Sequence, residues 1–370
     1  MQIATTQQGH YDSTLFAAIL GLIIISVVMV YSSSSVVALT SYDDAAFFAR
    51  RQLLWAVAGL SVMAITMRMD HRLLGEQRVV VTILLVSLLL LAATMVPGIG
   101  RTINGSRRWL RFGMLSFQPS ELAKVALVVY LSYYIAKKGE RIRDFLNGVT
   151  PAYVVAGLFM ALAVVQPDFG TTMTIALVVG IMLFVGGANV LHLGGTVLAG
   201  LPFIYIAVFH KAYRARRIFS FLDPWADPHG SGHQIIQSFL AFGSGGIFGR
   251  GLGEGRQKLL FLPERHSDFI YAVIGEELGL LGALAVLALF LFLLWRGVRV
   301  ALAASERFSR MLAFGITLLV CLQALMNMAV VTGLFPTKGI ALPLVSYGGS
   351  SLVITLGALG VLLNISKETS

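Results

Sequence analysis

Asp268 stands where the polar string Leu262-Pro-Glu-Arg-His-Ser-Asp268 gives way to an apolar run that opens Phe269-Ile270. A carboxylate at such a junction could take a proton from an attacking hydroxyl as a general base. Equally, Ser267 or Asp268 could cap the helix that follows, a common job for either residue, and spacing alone favours the cap. A second candidate group begins at Asn104-Gly-Ser-Arg-Arg-Trp-Leu-Arg-Phe-Gly113 and continues through Gln118-Pro-Ser-Glu-Leu-Ala-Lys124. Asn-Gly and Gly-Ser mark a turn, Trp109 suits a membrane interface, and Pro119 fits the first turn of a helix. Glu121 and Lys124 are three apart and share a helix face. They form either an ion pair at a helix entrance, with Lys124 snorkelling outward, or part of a functional site.

Lys338 is the only charge in the segment Gly333 to Ser351, whose prolines and glycines argue against a regular helix. It could neutralise a phosphate or simply end a re-entrant turn. Arg214, Arg216 and Arg217 form a basic cluster that could grip phosphate through paired hydrogen bonds or anchor on lipid headgroups. The run Phe242-Gly-Ser-Gly-Gly-Ile-Phe-Gly-Arg-Gly-Leu-Gly253 could bring backbone N–H groups to an anion, but it lacks phosphate-loop spacing and reads more simply as a flexible loop. His229 and His233 are four apart with Gly-Ser-Gly between them and no glutamate after His229. A zinc site on the two-histidine helix pattern is therefore not expected.

The elements that must position these residues are membrane helices. Hydrophobic residues make up 57% of the 370 and charged residues 12%, against about 45–50% and about 25% in an ordinary soluble protein. The apolar excess is gathered into runs suited to spanning helices, each needing about 20 residues. Candidate spans fall at roughly 15–38, 52–67, 79–96, 120–136, 150–165, 170–188, 190–209, 270–295, 309–332 and 343–365. The expectation is an all-α polytopic membrane protein of about ten transmembrane helices. It forms one integral domain over 1–370, with a long extracytoplasmic loop, 211–267, between helices 7 and 8. The first apolar run reads as a retained helix, because Met1 to Thr14 lacks lysine, arginine and a small-residue cleavage site.

An even count places both termini on one side. With termini cytoplasmic, the short inner loops carry more lysine and arginine than the short outer ones, as the positive-inside rule requires. The long loop adds positive charge outside, where phosphate or headgroups would explain it. Glu276 and Glu277 lie two turns beyond Asp268. Leu278–Trp295 is nearly long enough to cross alone, so the crossing is expected to start near Leu278, leaving Asp268 on a surface helix beside the bilayer. Cys321, the single cysteine, has no partner for an intramolecular disulfide.

Taken together, five strings resemble the FtsW/RodA/SpoVE family of shape, elongation, division and sporulation proteins. They are Arg108-Trp-Leu110, Gln118-Pro-Ser-Glu121, Gln166-Pro-Asp-Phe-Gly-Thr171, Leu262-Pro-Glu-Arg-His-Ser-Asp-Phe269 and Pro343-Leu-Val-Ser-Tyr-Gly-Gly-Ser350, in order across essentially the whole chain. Pro336-Thr-Lys-Gly339 and Asp223-Pro-Trp-Ala-Asp-Pro228 look more like the division branch than the elongation branch, although a sporulation paralogue shares them.

The resemblance implies an inverting peptidoglycan glycosyltransferase that polymerises lipid II at the outer face of the bacterial cytoplasmic membrane. It implies a class B penicillin-binding protein and other divisome proteins as partners, and no nucleic acid. Asp268 matches the family's catalytic carboxylate, which would act as base toward the acceptor hydroxyl. Arg108, Glu121, Lys124 and Lys338 match further polar family positions, and these, with Arg217 of the basic loop, are the expected substrate-binding residues. Arginines, lysines or a divalent cation (Mg or Mn) could stabilise the departing pyrophosphate; no organic cofactor is expected. A lipid II transporter, a scaffold for septal enzymes and a RodA-like elongation polymerase are the alternative readings.

Overall fold

The computed structural model describes residues 10–103, 106–112, 115–209, 212–230, 232–255, 267–336 and 339–369. Among them the chain forms α1 (Ser13–Tyr42), α2 (Phe47–Thr66) and α3 (Gln77–Ala93), followed by strands β1 (Gly100–Ile103), β2 (Ser106–Phe112) and β3 (Leu115–Phe117). Helices α4 (Pro119–Lys138), α5 (Thr150–Val165), α6 (Phe169–Val185) and α7 (Val190–Phe209) come next. The shorter α8 (Ala212–Leu222), α9 (His233–Gly245) and α10 (Ile270–Glu277) precede the long α11 (Gly279–Ala303), α12 (Arg307–Val331) and α13 (Gly349–Ser366).

Among the described residues, six helices are long and apolar enough to cross a membrane: α1, α2, α5 with the π-helical turn before it, α11, α12 and α13. Helices α3, α6 and the first part of α7 are apolar but shorter, and α4 carries Glu121 and Lys124 in its first turns. The protein is a helical, polytopic membrane protein. Its burial pattern fits lipid rather than water as the outer solvent. Leu53, Leu54, Leu85, Leu89 and Leu198 face outward, while Ser26, Ser34, Gln52, Lys124 and Asn327 are buried. Polar side chains inside a lipid-facing bundle hydrogen-bond across helices: Gln52 donates to Ser26 Oγ at 2.8 Å, and Ser26 donates to the Val345 carbonyl at 2.8 Å. Helix α12 is the central post, 72% buried over its most apolar window, against 22% for α2.

The Asp12 N–H donates to Ser366 Oγ at 3.0 Å, so both described chain ends sit at one end of the bundle. Three features depart from the sequence reading. The first is β-structure: β1, β2 and β3 form a small antiparallel sheet in the order β1-β2-β3, pairing Gly100 with Leu110 and Leu110 with Phe117. The register slips at a β-bulge that leaves Arg108 opposite no residue of β1, where a bulge re-aims a side chain; Arg108 is only partly exposed and Leu110 buried, while Arg107 and Arg111 are exposed.

The second concerns the helix after Asp268. The chain breaks at Leu278, and Gly279 takes φ +69°, a backbone shape that costs glycine little. A new long apolar helix therefore starts at Gly279, but α10 is not a surface helix: every residue from Ile270 to Glu277 is buried. The cover explains the third departure. The glycine-rich run is not a plain flexible loop, because the Arg250 and Gly251 N–H groups donate to the Glu276 and Glu277 carbonyls at 3.0 Å each. Leu280 N–H donates to Gly246 O at 2.9 Å, and α9 packs on α10. Glycines let these main chains approach so closely that a Cβ at Gly249 would lie 2.2 Å from the Glu277 carbonyl oxygen.

Candidate active site

The end of the bundle away from the termini gathers most of the polar segments. Asp268 does not cap α10. The N-cap position falls on Phe269, and no side chain caps the helix. The main chain around Asp268 is pinned instead. Asn327 of α12 donates its amide to the Asp268 carbonyl at 2.7 Å and to the Ile340 carbonyl at 2.6 Å. Ser346 Oγ donates to the Ser267 carbonyl at 2.6 Å and accepts from Leu342 N–H at 2.8 Å. The segment before α10 and the segment 339–346 are thus tied together.

The Asp268 carboxylate points to Gly339. A Cβ built on that glycine would stand 3.2 Å from Asp268 Oδ2 and 3.9 Å from Arg108 Nη1. Carboxylate and guanidinium therefore flank the same glycine, and any side chain there would enter the space between them. Arg108 reaches this place because β2 turns it inward and the Gln166–Asp168 segment holds its head. Nε donates to the Gln166 carbonyl at 3.3 Å and Nη2 to the Pro167 carbonyl, while Nη1 lies 3.9 Å from Asp168 Oδ1. Asp168 is itself fixed as the N-cap of α6, accepting from Thr171 N–H at 3.1 Å and Thr171 Oγ1 at 2.9 Å.

Glu121 and Lys124 form the ion pair that their spacing suggests, at 2.9 Å. Lys124 does not snorkel outward, however: it is 5% exposed. Its Nζ also donates to Gln323 Oε1 at 2.6 Å, and Ser351 Oγ donates to Glu121 Oε2 at 3.1 Å. These partners come from α12 and α13, which is why the lysine stays inside. A small cavity opens beside it, lined by Glu121, Gln323 and Pro343 among others.

Not every expected residue joins the group. Arg217 is exposed on α8, an element separate from those that carry Asp268, Arg108 and Lys124. Lys338 and the side chain of Arg214 lie outside the described residues, as do residues 256–266 of the long loop. The sequence reading gave no role to Gln166, Asp168, Gln323, Asn327 or Ser346. Asp168 carried a signal, since an Asp-Phe-Gly-Thr string at a helix start suits an N-cap. Gln323 and Asn327 carried one as well: they are amides four apart in an apolar span, on one helix face. Among the described residues, no group of three or more His, Cys, Asp or Glu side chains converges to hold a metal ion.

A family model for cell cycle proteins of the FtsW/RodA/SpoVE type matches residues 13–370. The chain is 49% identical over 359 residues to the probable peptidoglycan glycosyltransferase FtsW of Geobacter metallireducens, a match covering 97% of this chain and 95% of that one. It is 42% identical over 363 residues to stage V sporulation protein E of Bacillus subtilis, covering 98% and 99%. Among solved structures, it matches a chain of a peptidoglycan synthase complex that coordinates polymerization and crosslinking. That match has a TM-score of 0.79 at 31% identity, over 97% of this chain and 98% of that one. It also matches the rod shape determining protein RodA of Thermus thermophilus, with a TM-score of 0.71 at 28% identity over 97% of each chain. A full-length match in sequence, joined to a shared fold, leaves one assignment: the chain belongs to the FtsW/RodA/SpoVE family.

Proposed function

We propose that this protein is a peptidoglycan glycosyltransferase that polymerises lipid II into glycan strands for septal synthesis in cell division. The observation that carries the reading is the pairing of Asp268 and Arg108 across Gly339, a base and a fixed cation sharing one space. Glycosyl transfer from a pyrophosphate-linked sugar needs both. Asp268 accepts the proton of the acceptor's GlcNAc 4-hydroxyl as the oxygen attacks the anomeric carbon of the donor sugar. The bond from that carbon to the undecaprenyl pyrophosphate breaks, and the configuration inverts in this single displacement. Arg108 stabilises the charge growing on the leaving pyrophosphate. Its orientation costs nothing at the moment of reaction, because two carbonyls and Asp168 already hold it.

Lys124, Glu121, Arg217 and Lys338 serve substrate binding, with Lys124 set deepest. In this reading α3, α4, α6 and α7 cross with the six long apolar helices, ten crossings in all, both termini lie in the cytoplasm, and Asp268 lies on the outer side of the bacterial inner membrane. There the loop 211–267 lies over the substrate as a lid. A class B penicillin-binding protein and other divisome proteins complete the machine; the similarity to a chain from a complex that joins polymerization with crosslinking supports such a transpeptidase partner. No step here runs through a metal.

The test is polymerisation of purified lipid II by the detergent-purified protein with its transpeptidase, with and without Mg or Mn. Asp268→Asn should keep the fold and reduce product by about 100- to 10,000-fold, the usual range for a lost general base. Polymerisation at the wild-type rate would overturn the assignment of Asp268, and a wild-type preparation that makes no glycan would point to a transporter instead.

A further inference from the structure

Asp268 lies in the irregular segment before α10 and Lys124 on α4, and two neighbouring side chains of α12 reach toward both. Asn327 donates to the Asp268 carbonyl at 2.7 Å and to the Ile340 carbonyl at 2.6 Å. Gln323, one turn earlier, accepts from Lys124 Nζ at 2.6 Å and donates to the Ala341 carbonyl at 3.3 Å. Residues four apart lie one above the other on a helix face, so adjacent carbonyls, Ile340 and Ala341, are read by adjacent amides. The segment between them also carries Gly339, the residue flanked by Asp268 and Arg108.

We infer that Gln323 and Asn327 are positioning residues, an amide rack that sets the register between the Asp268 half of the site and the Lys124 half. A packing role explains them poorly. Both are buried, at 5% and 1% exposure, in a helix where leucine or alanine would pack without polar cost. Asn327 Oδ1 has no hydrogen-bond partner among the described residues. A buried amide left half satisfied is a cost that a purely structural position would avoid. What the position gains is its two donated hydrogen bonds, both to main-chain carbonyls of irregular segments. Such segments have no helix or sheet to fix them, so side-chain donors must do it. The inference rests on Asp268 being the base.

The experiment compares Asn327→Ala, Gln323→Glu and Asp268→Asn in the purified polymerase–transpeptidase complex on fluorescent lipid II. Rates are taken on the monodisperse fraction, together with thermal unfolding and pH profiles. A displacement of about 1 Å at a reacting group costs up to about 100-fold in rate. Asn327→Ala should therefore lower kcat by about 10- to 100-fold, hold KM for lipid II within about threefold, and move the acid limb of the kcat profile. Gln323→Glu keeps an acceptor for Lys124 but loses the donor to Ala341. It should lower kcat by about 3- to 10-fold, and it decides the matter if Asn327→Ala is not recovered folded. Wild-type kcat in both variants, or a pH profile scaled uniformly with no shift of the limb, overturns the rack. Wild-type kcat in Asp268→Asn would instead overturn the base on which it rests.

Discussion

The two ends of the bundle use the same kinds of polar residue in opposite ways. At the end that holds the termini, polar groups join helix ends to one another. Asp12 caps α1 through Thr14 and Leu15 and pairs with Arg296 of α11 at 2.6 Å. His71 lies between Asn364 and Ser309 at 2.7 and 2.8 Å, and Arg72 bridges Glu306 and Glu368 at 3.0 Å each. The Arg72 and Glu306 side chains there are about half exposed, at 53% and 47%. At the far end Lys124 is buried against side chains, and other polar groups hold the main chains of irregular segments: Arg108, 24% exposed, on the Gln166 and Pro167 carbonyls, and the Asn327 amide on those of Asp268 and Ile340. One end fastens helices to one another, and water softens the Arg72 pairs there. The other arranges charged groups around a space, in surroundings where each contact is worth more.

The largest difference should appear when one lysine and one arginine are removed. Lys124→Ala leaves Glu121 and Gln323 buried without their cation, and breaking such a pair typically costs about 3–5 kcal/mol. Arg72→Ala, at the other end, should cost under about 1 kcal/mol, as exposed pairs do. Thermal unfolding in one detergent reads both, and equal losses would erase the contrast. Next in size, Arg108→Ala should lower polymerisation about 100- to 1,000-fold, the loss expected when one preorganised charge-stabilising donor is removed, with little change in melting temperature. Gly339→Ala leaves every charge in place and adds one methyl between Asp268 and Arg108. A rate loss of about tenfold, one factor of 1.4 kcal/mol, is expected in the same assay.

A further small effect belongs to Asp12, just before α1. Burial pushes its carboxyl up. Hydrogen bonds from the Leu15 N–H, Thr14 and Arg296, with the Arg296 charge, outweigh burial and hold it below the ordinary aspartate value. A lowered folded value means that the carboxylate's contribution is fully present above the unfolded value, about 3.9. It is lost as pH falls through the folded value. Asp12→Asn can still cap α1 but loses the charge pair, so it should cost about 1 kcal/mol near neutrality. The difference from wild type should close in acid. Melting curves across pH check this.

Most of the far-end site was legible as a set of residues but not as an arrangement. The Pro119 helix start and the Glu121–Lys124 pair follow from local spacing, which a helix converts directly into proximity. Asp268 was misplaced by the same local logic. A carboxylate before an apolar run reads as a cap and its helix as a surface helix, because nothing nearby in sequence announces that α9 and the glycine-rich run will cover α10. The little sheet at 100–117 was missed for a related reason. Its strands are short, and only the folded chain shows the bulge at Arg108 and the two carbonyls that hold its head.

The sequence by itself determined that the chain lives in a membrane, roughly where its helices run and which family strings it bears. Those properties depend on composition and on spacing within a few turns. Only the tertiary structure decided that Lys124 stays buried, that Asp268 shares Gly339 with Arg108, and that α12 supports both halves of the site. These contacts join residues from 59 to 199 positions apart. Several of the deciding hydrogen bonds, those of Arg108 and Asn327, run from side chains to main-chain carbonyls, which every residue carries and no sequence pattern marks.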